Sequence, residues 1–138
     1  MKKVTIFITM VFCLAFAGCS NSNKDAEVEA FITVQTAMVS EMIKKIDADP
    51  TTDGVDDARK VFDAKKAGVK EKRDALKTVR EGQVSPALFK KMNDANDKAV
   101  ADFQGLKKKY AENFQKSDGA LDKYNQLLKD YDSYFGNN

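Results

Sequence analysis

An all-α fold, a small antiparallel bundle of three to four helices, is predicted by three observations. Apolar residues recur at three- and four-residue spacing through most of the chain from Asp25 onward, the rhythm of helices with one buried face. The 138-residue chain has only 7 Gly and 2 Pro but much Ala, Lys, Asp and Leu, a composition that favours helix over strand. The main breaks, Pro50, Gly82 with Pro86, and Ser117-Asp118-Gly119, fall between the periodic segments.

The first helix is expected from Asp25 to Ala48, with Val28, Phe31, Ile32, Met38, Val39, Met42, Ile43 and Ile46 on its apolar side. It should stop before Pro50, which pushes the preceding residue out of the helical region. Met38 and Met42 are read as core residues, since methionine fills irregular gaps between helices. Thr51, Thr52 and Asp53 then offer N-caps.

The second helix is expected from about Gly54 to Arg80, with Val55, Phe62, Val69 and Leu76 at a seven-residue, coiled-coil-like period. A parallel row, Ala58, Lys65, Lys72 and Val79, either lays its lysine stems along the core or faces outward in its middle. Glu81-Gly82 ends this helix. Ser85 followed by Pro86 starts a third, as an N-cap with proline at the first helical position.

The third helix carries Leu88, Met92, Ala95, Ala99, Phe103, Leu106, Tyr110 and Phe114 and reaches Lys116. Beyond Ser117-Asp118-Gly119, the residues Leu121, Tyr124, Leu128, Tyr131 and Phe135 form another apolar face in the same rhythm. Residues 86–135 are therefore either one helix of roughly 75 Å or a hairpin. The hairpin is favoured, because a lone extension leaves Tyr124, Tyr131 and Phe135 as an exposed apolar stripe. Pairing the second helix antiparallel to the third sets Phe62 beside Gly105, Phe103 beside Ala64 and Met92 beside Ala75, large against small at each level. Gly105→Leu is then expected to overpack the interface. In this arrangement the start of the first helix and residues 81–85 share one end, and the loops near residues 50 and 118 share the other.

Ahead of the bundle, spanning 25–136, lie the basic pair Lys2-Lys3, a largely apolar run Val4–Phe16 and then Ala17-Gly18-Cys19. That order matches a secretory signal, and the run is short for a bilayer-spanning helix. Phe16-Ala17-Gly18-Cys19 resembles the lipobox of bacterial lipoproteins, with Phe16 in place of the usual Leu. The resemblance covers only the first 19 residues. It implies that 1–18 is a cleaved signal peptide and that the Cys19 thiol carries diacylglycerol, with acylation (palmitate-type) at the new amino terminus. Two or three acyl chains anchor stably, where one is marginal. Residues 19–24 then form the lipidated Cys and a short polar tether, which keeps the bundle near a membrane surface. Ser20 stands where some inner-membrane lipoproteins have Asp, which points to the periplasmic face of an outer membrane.

Loss of the signal changes the charge. Removing Lys2 and Lys3 from the 23 basic side chains leaves 21, equal to the 21 acidic ones, so the basic balance of the full chain makes no case for nucleic acid. Cys13 leaves with the signal and Cys19 is used by lipid, so no disulfide is available.

No chemistry-bearing motif follows. With no His and no free thiol, metals that need nitrogen or sulfur ligands are not expected, and the acidic cluster Asp47, Asp49, Asp53, Asp56 and Asp57 fails the spacing of a calcium loop. These carboxylates read better as caps and helix-dipole partners. No Ser-His pair, catalytic Cys or phosphate loop is present, so the chain is read as a non-enzyme without a cofactor beyond the lipid on Cys19. The candidate partner surface comprises Asp49 and Asp53 at the far loop, Lys107 and Lys108 in the run Lys107-Lys108-Lys109, and Tyr131 on the last helix. The expected partner is a protein of the cell envelope. An inhibitor or immunity-type role against a secreted enzyme, and carriage of an apolar ligand between the helices, are the other readings.

Overall fold

The computed structural model describes residues 24–79 and 82–135. The expected signal peptide, Cys19 and the tether up to Asn23 lie outside the described residues. Five helices and no strand occur among those described: α1 (Asp25–Ala48), α2 (Thr52–Leu76), α3 (Pro86–Lys109), α4 (Ala111–Lys116) and α5 (Ala120–Phe135). Only Tyr110 separates α3 from α4, and counted as one they leave a four-helix bundle.

Each boundary has a local cause. The Thr51 hydroxyl caps α2 by accepting from the Asp53 backbone N–H at 3.3 Å, so α2 begins two residues earlier than the spacing predicts. It also ends four residues earlier, at Leu76, where the Thr78 hydroxyl donates to the Ala75 carbonyl at 3.2 Å and the Val79 N–H turns back to Leu76. A hydroxyl that bonds the neighbouring backbone competes with the helical ladder. Pro86 opens α3 at its first turn as expected. The third helix does not run unbroken to Lys116: Tyr110, at φ −110° and ψ 20°, separates α3 from α4. The chain reverses at Ser117-Asp118-Gly119, where Gly119 takes φ +70°, a conformation open to glycine and strained for other residues. The hairpin is thus the observed arrangement, and the long single helix is not.

The core follows the expected faces. Val28, Phe31, Ile32, Met38, Val39, Met42 and Ile46 of α1 are buried with Val55, Ala58, Phe62 and Val69 of α2, while Lys65 and Lys72 of the second row face solvent. Leu88, Ala99, Phe103, Leu106 and Phe114 join from α3 and α4, and Tyr124, Leu127, Tyr131 and Phe135 from α5. The Tyr124 hydroxyl donates to the Phe103 carbonyl at 2.5 Å, and the Phe103 ring meets Tyr131 at 5.3 Å between centroids. Burial pushes both the Tyr124 and Tyr131 hydroxyls above the ordinary tyrosine range, Tyr131 less so because the Gln35 amide donates to it. Their folded pKa values exceed the unfolded ones, so their stabilising contribution is full below about pH 10 and is lost as pH rises further. Alkaline unfolding monitored by helical circular dichroism is expected to move to higher pH in Tyr124→Phe.

The expected partnership of the second and third helices is corrected. The extensive backbone approaches are those of α1 with α2, α1 with α3 and α2 with α5; α2 and α3 make none of that extent. The α1 helix lies between them, antiparallel to α2 and parallel to α3. Consequently Phe62 packs on Tyr131, Tyr134 and Phe135 of α5 instead of beside Gly105, and Ala64 and Ala75 are exposed. A connection of several residues frees α3 from the neighbouring slot, and α1, with its wide apolar face, takes that slot. A Cβ on Gly105 would meet nothing within 4 Å. The overpacking expected for Gly105→Leu therefore has no basis, and Gly105→Ala is instead expected to stabilise by about 1 kcal/mol, read as a raised melting temperature.

One buried polar group interrupts the α1 face. Gln35 is 2% exposed; its amide nitrogen donates to the Tyr131 hydroxyl at 3.0 Å and the Asn96 oxygen at 3.4 Å, and its own Oε1 has no protein partner. Removing one member of a buried pair strands the other, whereas removing both can be nearly neutral. Gln35→Leu alone is expected to cost about 1–3 kcal/mol, and Gln35→Leu with Tyr131→Phe distinctly less than the sum of the two single changes. Strict additivity in denaturant unfolding would contradict this.

Candidate functional site

The two ends of the bundle differ in what they hold together. At one end, the Lys24 backbone N–H donates to the Gln83 carbonyl at 2.9 Å, and the Ser85 N–H donates to Asp25 Oδ1 at 2.8 Å. The start of α1 and the 82–85 loop therefore share this end, as the helix count requires. The chain leading to Cys19 departs from here.

The opposite end is a set of cross-helix bonds. Asp47, in the last turn of α1, accepts from Lys109 Nζ at 2.8 Å and from the Tyr110 hydroxyl at 2.7 Å, joining α1 to the α3–α4 junction. These two bonds, Lys109 first, hold the Asp47 carboxyl below the usual carboxylate range, and the bond to Asp47 is the largest cause raising the Lys109 pKa. Because the Asp47 shift is downward, whatever the clasp contributes is complete above about pH 4 and is lost as pH falls below that. The pair is open to water, so solvent screening keeps its contribution small.

Beside it, the Thr52 N–H donates to the Ser117 hydroxyl at 2.9 Å, the Thr52 and Ser117 hydroxyls lie 2.8 Å apart, and the Thr52 hydroxyl donates to the Asp118 carbonyl at 2.6 Å. A free N–H at the first turn of α2, which no helix can satisfy internally, is thereby used to fasten the 117–118 reversal. Asp49 accepts from the Thr51 hydroxyl at 2.8 Å and is exposed. The first turns of α2 form a shallow open depression lined by Asp53, Asp56, Asp57, Arg59 and Lys60. Its acids face cations: Lys60 pairs with Asp57 at 2.7 Å, and Lys123 of α5 with Asp56 at 2.6 Å. No group of three or more acidic, Cys or His side chains placed to hold a metal occurs among the described residues.

The candidate surface residues separate accordingly. Asp49 and Asp53 are brought together at the far end, exposed. Lys107 reaches Asn125 of α5 at 2.8 Å, Lys109 is used by Asp47, and Lys108 stands exposed between them. Tyr131 does not belong to this surface. It is 3% exposed, its ring lies against Phe62, Phe103 and Phe135, and its hydroxyl takes the Gln35 amide. A helical stripe of tyrosines reads alike as rim or core until its neighbours are known, and α2 and α3 both cover this one.

One feature of this end escapes sequence reading. The Asp47–Lys109–Tyr110 bonds join residues more than sixty positions apart, and no local pattern announces them. Gln35 was detectable in principle, because it occupies the apolar rhythm between Phe31, Ile32 and Met38, Val39. Among the described residues no helix is long and apolar enough to cross a membrane. Comparison with models of known protein families, with curated proteins and with solved structures found no match to this chain.

Proposed function

We propose that the protein is a non-enzymatic lipoprotein of the bacterial cell envelope, a helical bundle carried by lipid on Cys19 that presents its far end to a protein partner. The observation that carries the reading is Phe16-Ala17-Gly18-Cys19 behind a basic pair and an apolar run. The geometry supports a consistent orientation: Lys24, five residues after Cys19, sits at the 82–85 end, so a lipid-held chain turns Asp49, Asp53 and Lys108 away from the bilayer. The equality of acidic and basic side chains after signal removal favours a protein partner over nucleic acid. The periplasmic face of an outer membrane is the location favoured by Ser20.

Metabolic labelling with palmitate tests the anchor. Wild-type protein is expected to carry the label and to float with membranes, whereas Cys19→Ser loses both and keeps its helical circular dichroism. A labelled or floating Cys19→Ser variant would remove the reading. Photo-crosslinking from position 108 or 53 in cells, followed by mass identification, is expected to capture an envelope protein that crosslinking from the exposed position 89 does not.

A further inference from the structure

The anchored end carries an apolar feature that the bundle does not use. At the first turn of α3, Leu88 is buried at 7% exposure, while Phe89 beside it is 55% exposed and is the most exposed large hydrophobic residue described. Ser85, Pro86 and Ala87 before it are exposed as well. The turn is fixed in place: Ser85 is bonded to Asp25, and Gln83 to Lys24. An aromatic side chain left in water forgoes a roughly tenfold to hundredfold preference for an apolar surrounding. The other aromatic rings among the described residues of the bundle are at least half-buried, and this one is the exception.

We propose that Pro86, Ala87 and Phe89 form a membrane-contacting tip that seats in the headgroup and upper acyl region of the bilayer to which Cys19 is attached. The proposal rests on the lipoprotein reading above and names the second contact of that anchored end. The length of chain outside the described residues argues for lipid as the occupant. Four residues separate Cys19 from Lys24, five Cα–Cα steps that reach at most about 18 Å, and Phe89 lies about one helical turn, ~6 Å, along α3 from the Ser85 position that α1 is bonded to. A bilayer holding the Cys19 lipid is therefore within contact distance of the tip. Three of the nearby lysines are already engaged, Lys24 with Glu27, Lys77 with Asp74 and Lys90 with Asp94. The contact is apolar, with the ring in the interface and flanking Lys90 and Lys91 in the headgroup layer. Such a second contact fixes the tilt of the bundle, which a flexible tether alone leaves free.

The chain contains no Trp, so Phe89→Trp creates a single fluorescent reporter at the tip, and Lys108→Trp one at the far end. Each full-length chain, made with its signal intact and purified from membranes, is reconstituted in phosphatidylcholine–phosphatidylglycerol vesicles with or without bromine on the acyl chains. The expected result is a blue-shifted Phe89→Trp emission that brominated lipid quenches, beside an unshifted and unquenched Lys108→Trp. An unquenched Phe89→Trp in protein that floats with the vesicles overturns the tip and leaves the anchor standing. Failure of both chains to float and to carry label overturns the anchor, and the tip falls with it. A blue shift of Phe89→Trp in the lipid-free Cys19→Ser chain that grows with protein concentration assigns the patch to a second copy of the protein and also overturns the proposal.

Discussion

Phe62→Ala is expected to remove about 3–5 kcal/mol of stability, the largest loss from any single truncation of the core. Phe62 is fully buried, and its ring is the point where α5 meets α2: Tyr134 stands edge-on at 5.8 Å, and Tyr131 and Phe135 lie at 6.4 Å. Arg59 and Lys66 place cations 5.7 and 5.3 Å from its centroid. Truncation leaves a cavity that α5, fixed through Tyr124 and Phe103, cannot close by moving as a unit. A domain of this size holds roughly 5–15 kcal/mol in total, so the variant should be close to unfolded at body temperature. Denaturant unfolding followed by circular dichroism measures it. Phe89→Ala is the internal comparison, because that ring is 55% exposed and its loss should change stability by less than about 0.5 kcal/mol. Equal losses at the two positions would show that α5 is not packed on α2 as described.

Gly54→Ala is expected to destabilise by about 3 kcal/mol, against the helical preference for alanine. Gly54 lies within α2, where alanine ordinarily gains about 1 kcal/mol over glycine. A Cβ at this position, however, would stand 1.7 Å from the Asp49 carbonyl oxygen, 2.8 Å from its carbon and 3.1 Å from the Lys45 carbonyl oxygen. All three are backbone atoms at the α1–α2 turn, so no side chain can swing aside. Either the turn opens, loosening the Thr51 cap and the Thr52–Ser117 bonds, or α2 shifts along α1. Gly68 and Gly105 have open space around a Cβ, so alanine there should raise the melting temperature while alanine at 54 lowers it. A Gly54→Ala protein that melts at or above the wild-type temperature would refute the closeness of that turn.

Much of the helical layout was legible before any coordinate. The bounds of α1 coincide with its apolar rhythm, because a 24-residue amphipathic segment ended by Pro50 has one stable conformation. The start of α3 was equally readable from Ser85-Pro86, and the reversal from Ser117-Asp118-Gly119. The end of α2 was not, since the periodic pattern continues to Val79 while the Thr78 hydroxyl unwinds the chain sooner. The break at Tyr110 was invisible for the opposite reason: Leu106, Tyr110 and Phe114 keep helical spacing, and the bond from Tyr110 to Asp47 that accompanies the break is a tertiary contact.

Within the candidate site, Asp49, Asp53 and Lys108 were placed by counting turns, because antiparallel helices of known length bring their loops to predictable ends. Tyr131, named for the surface from the tyrosine stripe of the last helix, is buried instead. A tyrosine at helical spacing is equally suited to a rim and to a core, and only the position of α2 and α3 around α5 buries it.

What the residues alone determined is therefore the local and the periodic: an all-α chain, the faces of its helices, the caps and the reversals. These depend on short-range sterics, hydrogen bonding and hydrophobic periodicity, all of which are encoded within a few turns of chain. Neighbour choice was decided only by the tertiary structure. Large-to-small matching made α2 and α3 look like partners, yet hydrophobic burial has no direction, and the wide face of α1 satisfies both helices at once. That single choice moved Gly105 from an interface to open solvent and Phe62 from α3 to α5. Gly54, crowded by backbone at the α1–α2 turn, is a glycine the fold cannot spare.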